Sequence, residues 1–286
     1  MRTPLRAVAR TVALAAGMLM PAAGLAGGYD TPMLYSARHM GMGGAAIGYV
    51  NDPSALFHNP AGLGHTKRLS LLGDFSLLLA RIRSTPVALP QATDIESELT
   101  VAPMFLLGGG YRITDWLVIG GAVYPVASAG ATYKYPGITG GTNENETKLV
   151  FFEASLAAAV NLPHHVRLGA GYRATYVNLE RFQGVPGVGA GFDFKLKGFN
   201  WAGFRLGAQW TPLPFLDLGV AYRHKTETKV KNDTGKAITD FRDVETTFVL
   251  PSKLGAGSTS PVSMRAFAAR KIHGLPMAPR PIMTAS

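Results

Sequence analysis

The chain has 286 residues, 47% of them hydrophobic and only 16% charged, with 34 glycines and no cysteine. That charge content is far below the ~25% usual in soluble domains, and the glycines lack the period of collagen. The missing cysteines exclude a disulfide framework, a thiolate metal site and a cysteine nucleophile, and no run of 18 apolar residues follows the N-terminus, which excludes a bundle of membrane helices. A glycine-rich, charge-poor chain of this length fits a transmembrane β-barrel.

The N-terminus reads as an export signal over residues 1–26. Arg2, Arg6 and Arg10 form a basic region, Thr11–Met20 a short apolar stretch, and Gly24-Leu25-Ala26 a small-residue cleavage site after Ala26. About ten apolar residues are too few to span a bilayer as a helix. The formal charge of +10 divides into +3 here, +4 in residues 261–286 and +3 for all of 27–260. Its basic residues are scattered rather than clustered, so nucleic acid is not an expected partner.

Residues 27–66 do not alternate as a strand does. Gly41-Met42-Gly43-Gly44-Ala45-Ala46 leads into Asn51-Asp52-Pro53-Ser54-Ala55 and then Asn59-Pro60-Ala61-Gly62. Small residues suit packing in a confined space, and Asn-Pro marks a rigid turn. The Gly-x-Gly-Gly run is not a phosphate loop, because no Gly-Lys-Ser/Thr follows and no βαβ unit surrounds it.

From residue 67 a period of two takes over. In 166–176, Val166, Leu168, Ala170, Tyr172, Ala174 and Tyr176 share one face, with Arg167, Gly169, Gly171, Arg173 and Thr175 on the other. Segment 150–160 sets Phe152 and Leu156 against Glu153 and Ser155, and 216–223 sets Leu218, Val220 and Tyr222 against Asp217 and Arg223. Such alternation puts the apolar face in lipid and the small polar face in a lumen; a soluble sandwich would bury the apolar face instead. A Leu-Gly-x-x-aromatic motif recurs at Leu107–Tyr111, Leu168–Tyr172, Leu206–Trp210 and Leu218–Tyr222, each beside a short turn. The aromatics suit the headgroup level, and the inward glycines leave lumen space and permit curvature.

Eight strands are predicted, near 69–82, 101–113, 116–126, 148–161, 166–181, 192–210, 216–231 and 243–257. The turns at 114–115, 162–165 and 211–215 are short and fall at one end, whereas 83–100, 127–147, 182–191 and 232–242 are longer and fall at the other. With the first strand leaving the periplasm, the short turns are periplasmic and the longer loops external, the arrangement of bacterial outer-membrane barrels. Residues 258–286 break the pattern, with neither alternation nor a terminal aromatic; they read either as a disordered tail or as the product of a truncation or frame shift.

The Ser36–Gly48 stretch, Asp52-Pro53-Ser54-Ala55, Asn59-Pro60-Ala61 and Leu250-Pro251-Ser252-Lys253-Leu254-Gly255 together resemble the outer-membrane family of long-chain fatty acid and aromatic-hydrocarbon transporters. The resemblance implies an all-β fold: a transmembrane antiparallel β-barrel of fourteen strands with an N-terminal hatch, here 27–66. Eight visible strands over 67–257 then suggest C-terminal truncation, and an eight-stranded barrel is too narrow to hold a hatch. In that family hydrophobic ligand binds in the lumen and leaves sideways through a kinked strand, with the Asn-Pro-Ala motif, here Asn59, Pro60 and Ala61, near the kink. The loops at 182–191 and 232–242 are shorter than the family's ligand-capture loops, which leaves the cargo open between fatty acids and hydrocarbons.

Lateral exit needs a break in the ladder at which backbone groups still find partners. Gly120, Gly121 and Pro125 can supply it, though Pro125 also suits a strand end. Leu149 and Phe151 fall on the lumen face and either line an apolar pocket or pack against the hatch. Arg167, Arg173 and Arg223 either meet a ligand carboxylate or pair structurally with Glu153, Asp217 or the hatch. Catalysis finds no support: there is no Gly-x-Ser-x-Gly elbow, and His164-His165, His39 and His58 lack a metal-ligand spacing. No cofactor or metal is expected. The expected partners are hydrophobic small molecules, outer-membrane lipid and lipopolysaccharide, and the barrel-assembly machinery; the alternative function is a non-transporting scaffold barrel of a secretion-associated type.

Overall fold

A computed structural model describes residues 35–84, 94–136, 140–185, 189–232 and 244–259. The expected signal peptide, the first part of the expected hatch and almost all of the atypical tail lie outside the described residues. Twelve strands follow in chain order: β1 Leu69–Ala80, β2 Arg83–Ser84, β3 Ile95–Glu96, β4 Thr100–Arg112, β5 Leu117–Pro136, β6 Thr142–Leu162, β7 Val166–Val185, β8 Gly189–Leu213, β9 Leu216–Arg223, β10 Thr226–Asn232, β11 Glu245–Leu250 and β12 Lys253–Thr259. Apart from the small β2–β3 ribbon they form one antiparallel sheet, curled as a half-barrel, in which chain neighbours are sheet neighbours. His224-Lys225 divides β9 from β10 and Pro251-Ser252 divides β11 from β12, so the main sheet has eight crossings, as the alternation predicts.

The two faces separate as expected. On β6, Glu153 and Phe151 are buried on the concave side, while Leu156 is 67% exposed on the convex side. On β7, Arg173, Thr175 and Val177 point inward and Leu168 and Tyr172 outward. The curl brings distant strands together: the ring of Phe151 on β6 meets that of Phe248 on β11 edge to face, 5.9 Å apart.

Strand lengths depart from the prediction at one end. The predicted loop 127–147 is largely strand, because β5 runs to Pro136 and β6 begins at Thr142. The cause is cross-strand polar pairing, which hydropathy does not report: Lys134 meets Glu98 at 2.8 Å and Glu144 at 3.6 Å, and Arg181 donates to Thr147. The predicted loop 182–191 shortens likewise, with β7 reaching Val185 and β8 starting at Gly189. At the other end the connections stay tight, and His164 and His165 turn the β6–β7 hairpin in the left-handed region, both at φ 60°.

Residues 35–66 lie on the concave face. They form a short helix α1 (Ala37–Gly41), a second, α2 (Ala55–His58), and a 3₁₀ turn, Pro60–His65. Their carbonyls are taken up by side chains of the wall. Arg112 on β4 donates to Thr66 O at 2.7 Å and Gly64 O at 2.8 Å, Asn161 on β6 to Gly64 O at 3.1 Å, and Gln209 on β8 to Ile47 O and Val50 O, both at 3.2 Å. The wall is thus wired to the segment by hydrogen bonds as well as packed on it through Leu56, Leu63 and Val50.

Candidate functional site: a break in the wall between β4 and β5

From the tight-turn end, β4 and β5 pair from Arg112↔Val118 as far as Leu107↔Val123, and there the ladder stops. Beyond it β4 continues against β1, from Phe75↔Phe105 to Ala80↔Thr100, while β5 continues against β6 alone. Further on, the chain leading into β4 meets β5 again, where Glu98 N–H donates to Thr132 O at 2.8 Å and Thr100 Oγ1 to Gly130 O at 3.5 Å. The break is therefore a window with two closed ends. Pro125 lies at its lower margin: it has no N–H to give to β4, and the register against β6 shifts between Pro125 and Ala127.

A cavity of about 470 Å³ fills the window, lined among others by Pro103, Met104, Pro125, Ala129, Leu149 and Phe152. On the convex side the rings of Phe105 and Phe152 face each other across it, 6.2 Å between centroids. On the concave side the freed backbone finds partners in the inner segment, because the Tyr35 hydroxyl donates to Pro125 O. Tyr124 donates to Leu56 O at 3.2 Å, and Arg205 donates to the same carbonyl. Tyr35, Phe57 and Tyr124 form one ring cluster, with centroid separations of 4.9, 5.3 and 5.8 Å, and the Arg205 guanidinium lies 5.4 Å from the Phe57 centroid. Burial pushes the Tyr35 phenol far above its ordinary range, so it remains a donor.

The residues singled out from the sequence fall in three places. Pro125 and Leu149 line the window, and Phe151, fully buried, packs above the inner segment against Phe248. Gly120 and Gly121 stay inside an unbroken ladder, paired with Gly110 and Gly109 on one side and Ala157 and Leu156 on the other. Gly120 instead makes room for Leu63, whose methyls lie 3.1–3.2 Å from where a Cβ would stand. Asn59, Pro60 and Ala61 sit against β7, β8 and β9 rather than at the window. The Asn59 amide reaches Ile47 O at 2.8 Å, Ala208 O at 3.1 Å and Val220 O at 3.3 Å, while its Oδ1 accepts from Ala61 N at 3.1 Å.

The arginines divide in the same way. Arg173 is fully buried, ion-paired with Glu153 and bonded to Phe204 O at 3.3 Å and His224 O at 2.8 Å. Arg205, absent from the sequence candidates, stands 3.8 Å from the same carboxylate. Arg167 donates to Thr211 at 3.3 Å and Arg223 to Pro251 O at 3.3 Å. Tyr35 and Arg205 were invisible to sequence reasoning because their roles depend on carbonyls at the window and in α2, 90 and 149 residues away in sequence.

The architecture is an antiparallel meander with an apolar convex face and a concave face that holds a folded segment on an apolar core with buried polar groups. The fold is similar to that of the P. putida toluene transporter TodX, with a TM-score of 0.57 at 15% identity over 79% of this chain and 66% of that one. The TodX deltaS2S3 mutant monoaromatic hydrocarbon channel matches over the same shares of the two chains, with a TM-score of 0.54 and 15% identity. This chain thus spans about two thirds of the length of the structures it resembles. No family model matches the sequence, and no curated protein does.

Proposed function

We propose that the chain forms a passive channel for small hydrophobic molecules, monoaromatic hydrocarbons first among them, in the bacterial outer membrane. Residues 35–66 act as its hatch, and the window between β4 and β5 is its lateral exit. The observation that carries this reading is the window itself: an opening in the wall at a proline, apolar at its Pro103-Met104-Leu149-Phe152 end and polar toward Glu98, Glu144 and Lys148, with Pro125 O bonded from within. An unsatisfied backbone group in hydrocarbon costs several kcal/mol, so a break supported in this way is a built feature. The likeness to TodX supports the cargo class, and the lining of Leu149, Met104 and Phe152 suits an uncharged ring. A ligand carboxylate would find Arg173 already neutralised by Glu153.

Uptake of labelled toluene and labelled oleate by cells making the protein tests the reading. Toluene uptake should rise above that of cells lacking it; no rise for either compound, with the protein assembled in the membrane, would favour a scaffold barrel.

A further inference from the structure

The convex face carries a second, larger cavity of about 940 Å³, open along one side. Its floor follows from two adjacent cross-strand rows. One row reads Leu71, Gly109, Gly121, Leu156, Tyr172 and Phe204, and the other Leu69, Tyr111, Ile119, Ala158, Ala170 and Leu206. The surface is lowest over the alanines of the second row on β6 and β7, whereas methyls of Leu71 and Leu156 stand 2.9 and 3.0 Å from where Cβ atoms of Gly109 and Gly121 would be. The depression runs obliquely across four strands, between the larger side chains of Tyr111, Ile119, Leu156, Tyr172 and Phe204. Strands are spaced about 4.8 Å apart, so its length is roughly 15 Å.

The trough neighbours the window on the convex face. Phe152, at the window's outer mouth, and Leu156, at the trough's wall, stand on the same outward column of β6, separated by Ala154. Ala154 pairs with Ala174 on β7 and with Val123 on β5, so the ridge between the two cavities is low on β6 and β7 and higher on β4 and β5, where Leu107 and Val123 stand. The trough lies toward the tight-turn end, which the proposed orientation places in the periplasmic half of the membrane. Its lining is almost wholly apolar and presents the rings of Tyr111, Tyr172 and Phe204.

We infer that this trough is a receiving site for the molecule leaving the window: a flat, uncharged aromatic passes between Phe105 and Phe152, crosses Ala154 and rests on the Ala158-Ala170 floor, beside Leu156 and Tyr172, before entering the inner leaflet. The inference rests on the channel reading above. A flat ring can lie flush on a floor of alanines, with aromatic edges beside it, at offset or edge-to-face distances. Exit then proceeds along the wall in one direction, and lipid chains do not have to part at the window.

The test is photolabelling with a diazirine derivative of toluene, mapped by mass spectrometry, alongside labelled-toluene uptake. The proteins compared are the wild type, Ala158→Trp, Ala170→Trp and a control, Leu254→Trp, at an exposed outward position away from the trough. In the wild type, label is expected at the window and also at Tyr111, Leu156 or Tyr172. Either filling substitution should abolish the trough label, keep the window label and cut uptake about threefold or more; the control should change neither. Label confined to the window, or uptake unchanged in both filled variants, would overturn the inference while leaving the channel intact. A trough label displaced by added phospholipid, with uptake unaffected by filling, would make it a lipid seat and also overturn the inference. Absence of both uptake and window label in the wild type would remove the channel reading, and the trough's role with it.

Discussion

At the scale of single residues, the inner segment is held by a few buried polar groups whose removal has calculable consequences. Asn59 is fully buried and its amide serves three carbonyls from three parts of the chain. Asn59→Ala should cost about 1–3 kcal/mol through the acceptors it abandons. Asn59→Asp should cost more, since it sets a carboxylate against those same carbonyls. Thermal denaturation in detergent reads both, and equal midpoints for the two variants would contradict this bonding. Glu153 is the counter-charge for Arg173 and stands 3.8 Å from Arg205 inside the wall. Glu153→Gln should destabilise by about 3–5 kcal/mol, because it leaves buried guanidinium groups without an anion.

Histidine adds a pH dependence at the same scale. Burial pushes His58 down to about 4, against the backbone carbonyl of Tyr35 to which its Nε2–H is bonded at 3.0 Å, and burial likewise lowers His65 to about 4. Both are neutral when the segment is docked. Above pH 6.5, docking has its full strength; as pH falls from 6.5 toward 4, the undocked imidazoles take up protons that the docked ones refuse, so docking weakens and then levels off. Protection of residues 35–66 from protease should therefore decline over that range and decline less in His58→Gln. Equal protection at pH 8 and pH 4.5 would contradict it.

At the scale of elements, the inward glycines of the repeated motif have a different task from the one composition suggests. A Cβ on Gly207 would stand 1.9 Å from Asn59 Oδ1, one on Gly169 2.3 Å from Ala61 N, and one on Gly219 2.4 Å from Ile47 O. These glycines form the bed of the inner segment rather than open lumen. Gly207→Ala and Gly169→Val should lift the segment, expose it to protease and raise the outer membrane's permeability to hydrophilic antibiotics; unaltered permeability in an assembled variant would argue against it. The sheet was legible in the sequence because a strand half in lipid must alternate, as β6, β7 and β9 do. The extensions of β5 and β6 were not, because strands stiffened by ion pairs such as Lys134–Glu98 carry no hydrophobic period. The window was half legible: Pro125 announced a break in β5, but which neighbour it faced depended on register, and the expectation that Asn59-Pro60-Ala61 would lie beside it fails because the tripeptide docks on β7–β9. Tyr35 and Leu56 reach the window instead.

At the scale of the whole molecule, the strands are longer than a membrane requires. A crossing takes about 9–11 residues, whereas β5 to β8 have 20 to 25. Their polar upper halves, with the Lys195–Glu180 pair, belong outside the bilayer, and the Lys148–Glu146 pair lines the upper end of the window. Among the described residues β1 pairs on one side only, as do β11 and β12. The window lies one strand in from the β1 edge, because beyond Leu107 β4 pairs only with β1. The central claim, that cargo leaves through that window, is tested most directly by clamping it. The protein has no cysteine of its own, so Ala102→Cys with Ser128→Cys on opposite margins gives a clean pair for a short, cleavable thiol cross-linker. Toluene uptake should fall to the background of cells lacking the protein when the pair is cross-linked and recover when the linker is cleaved, while each single cysteine variant stays unaffected. Undiminished uptake with the window clamped would show that the cargo leaves by another route.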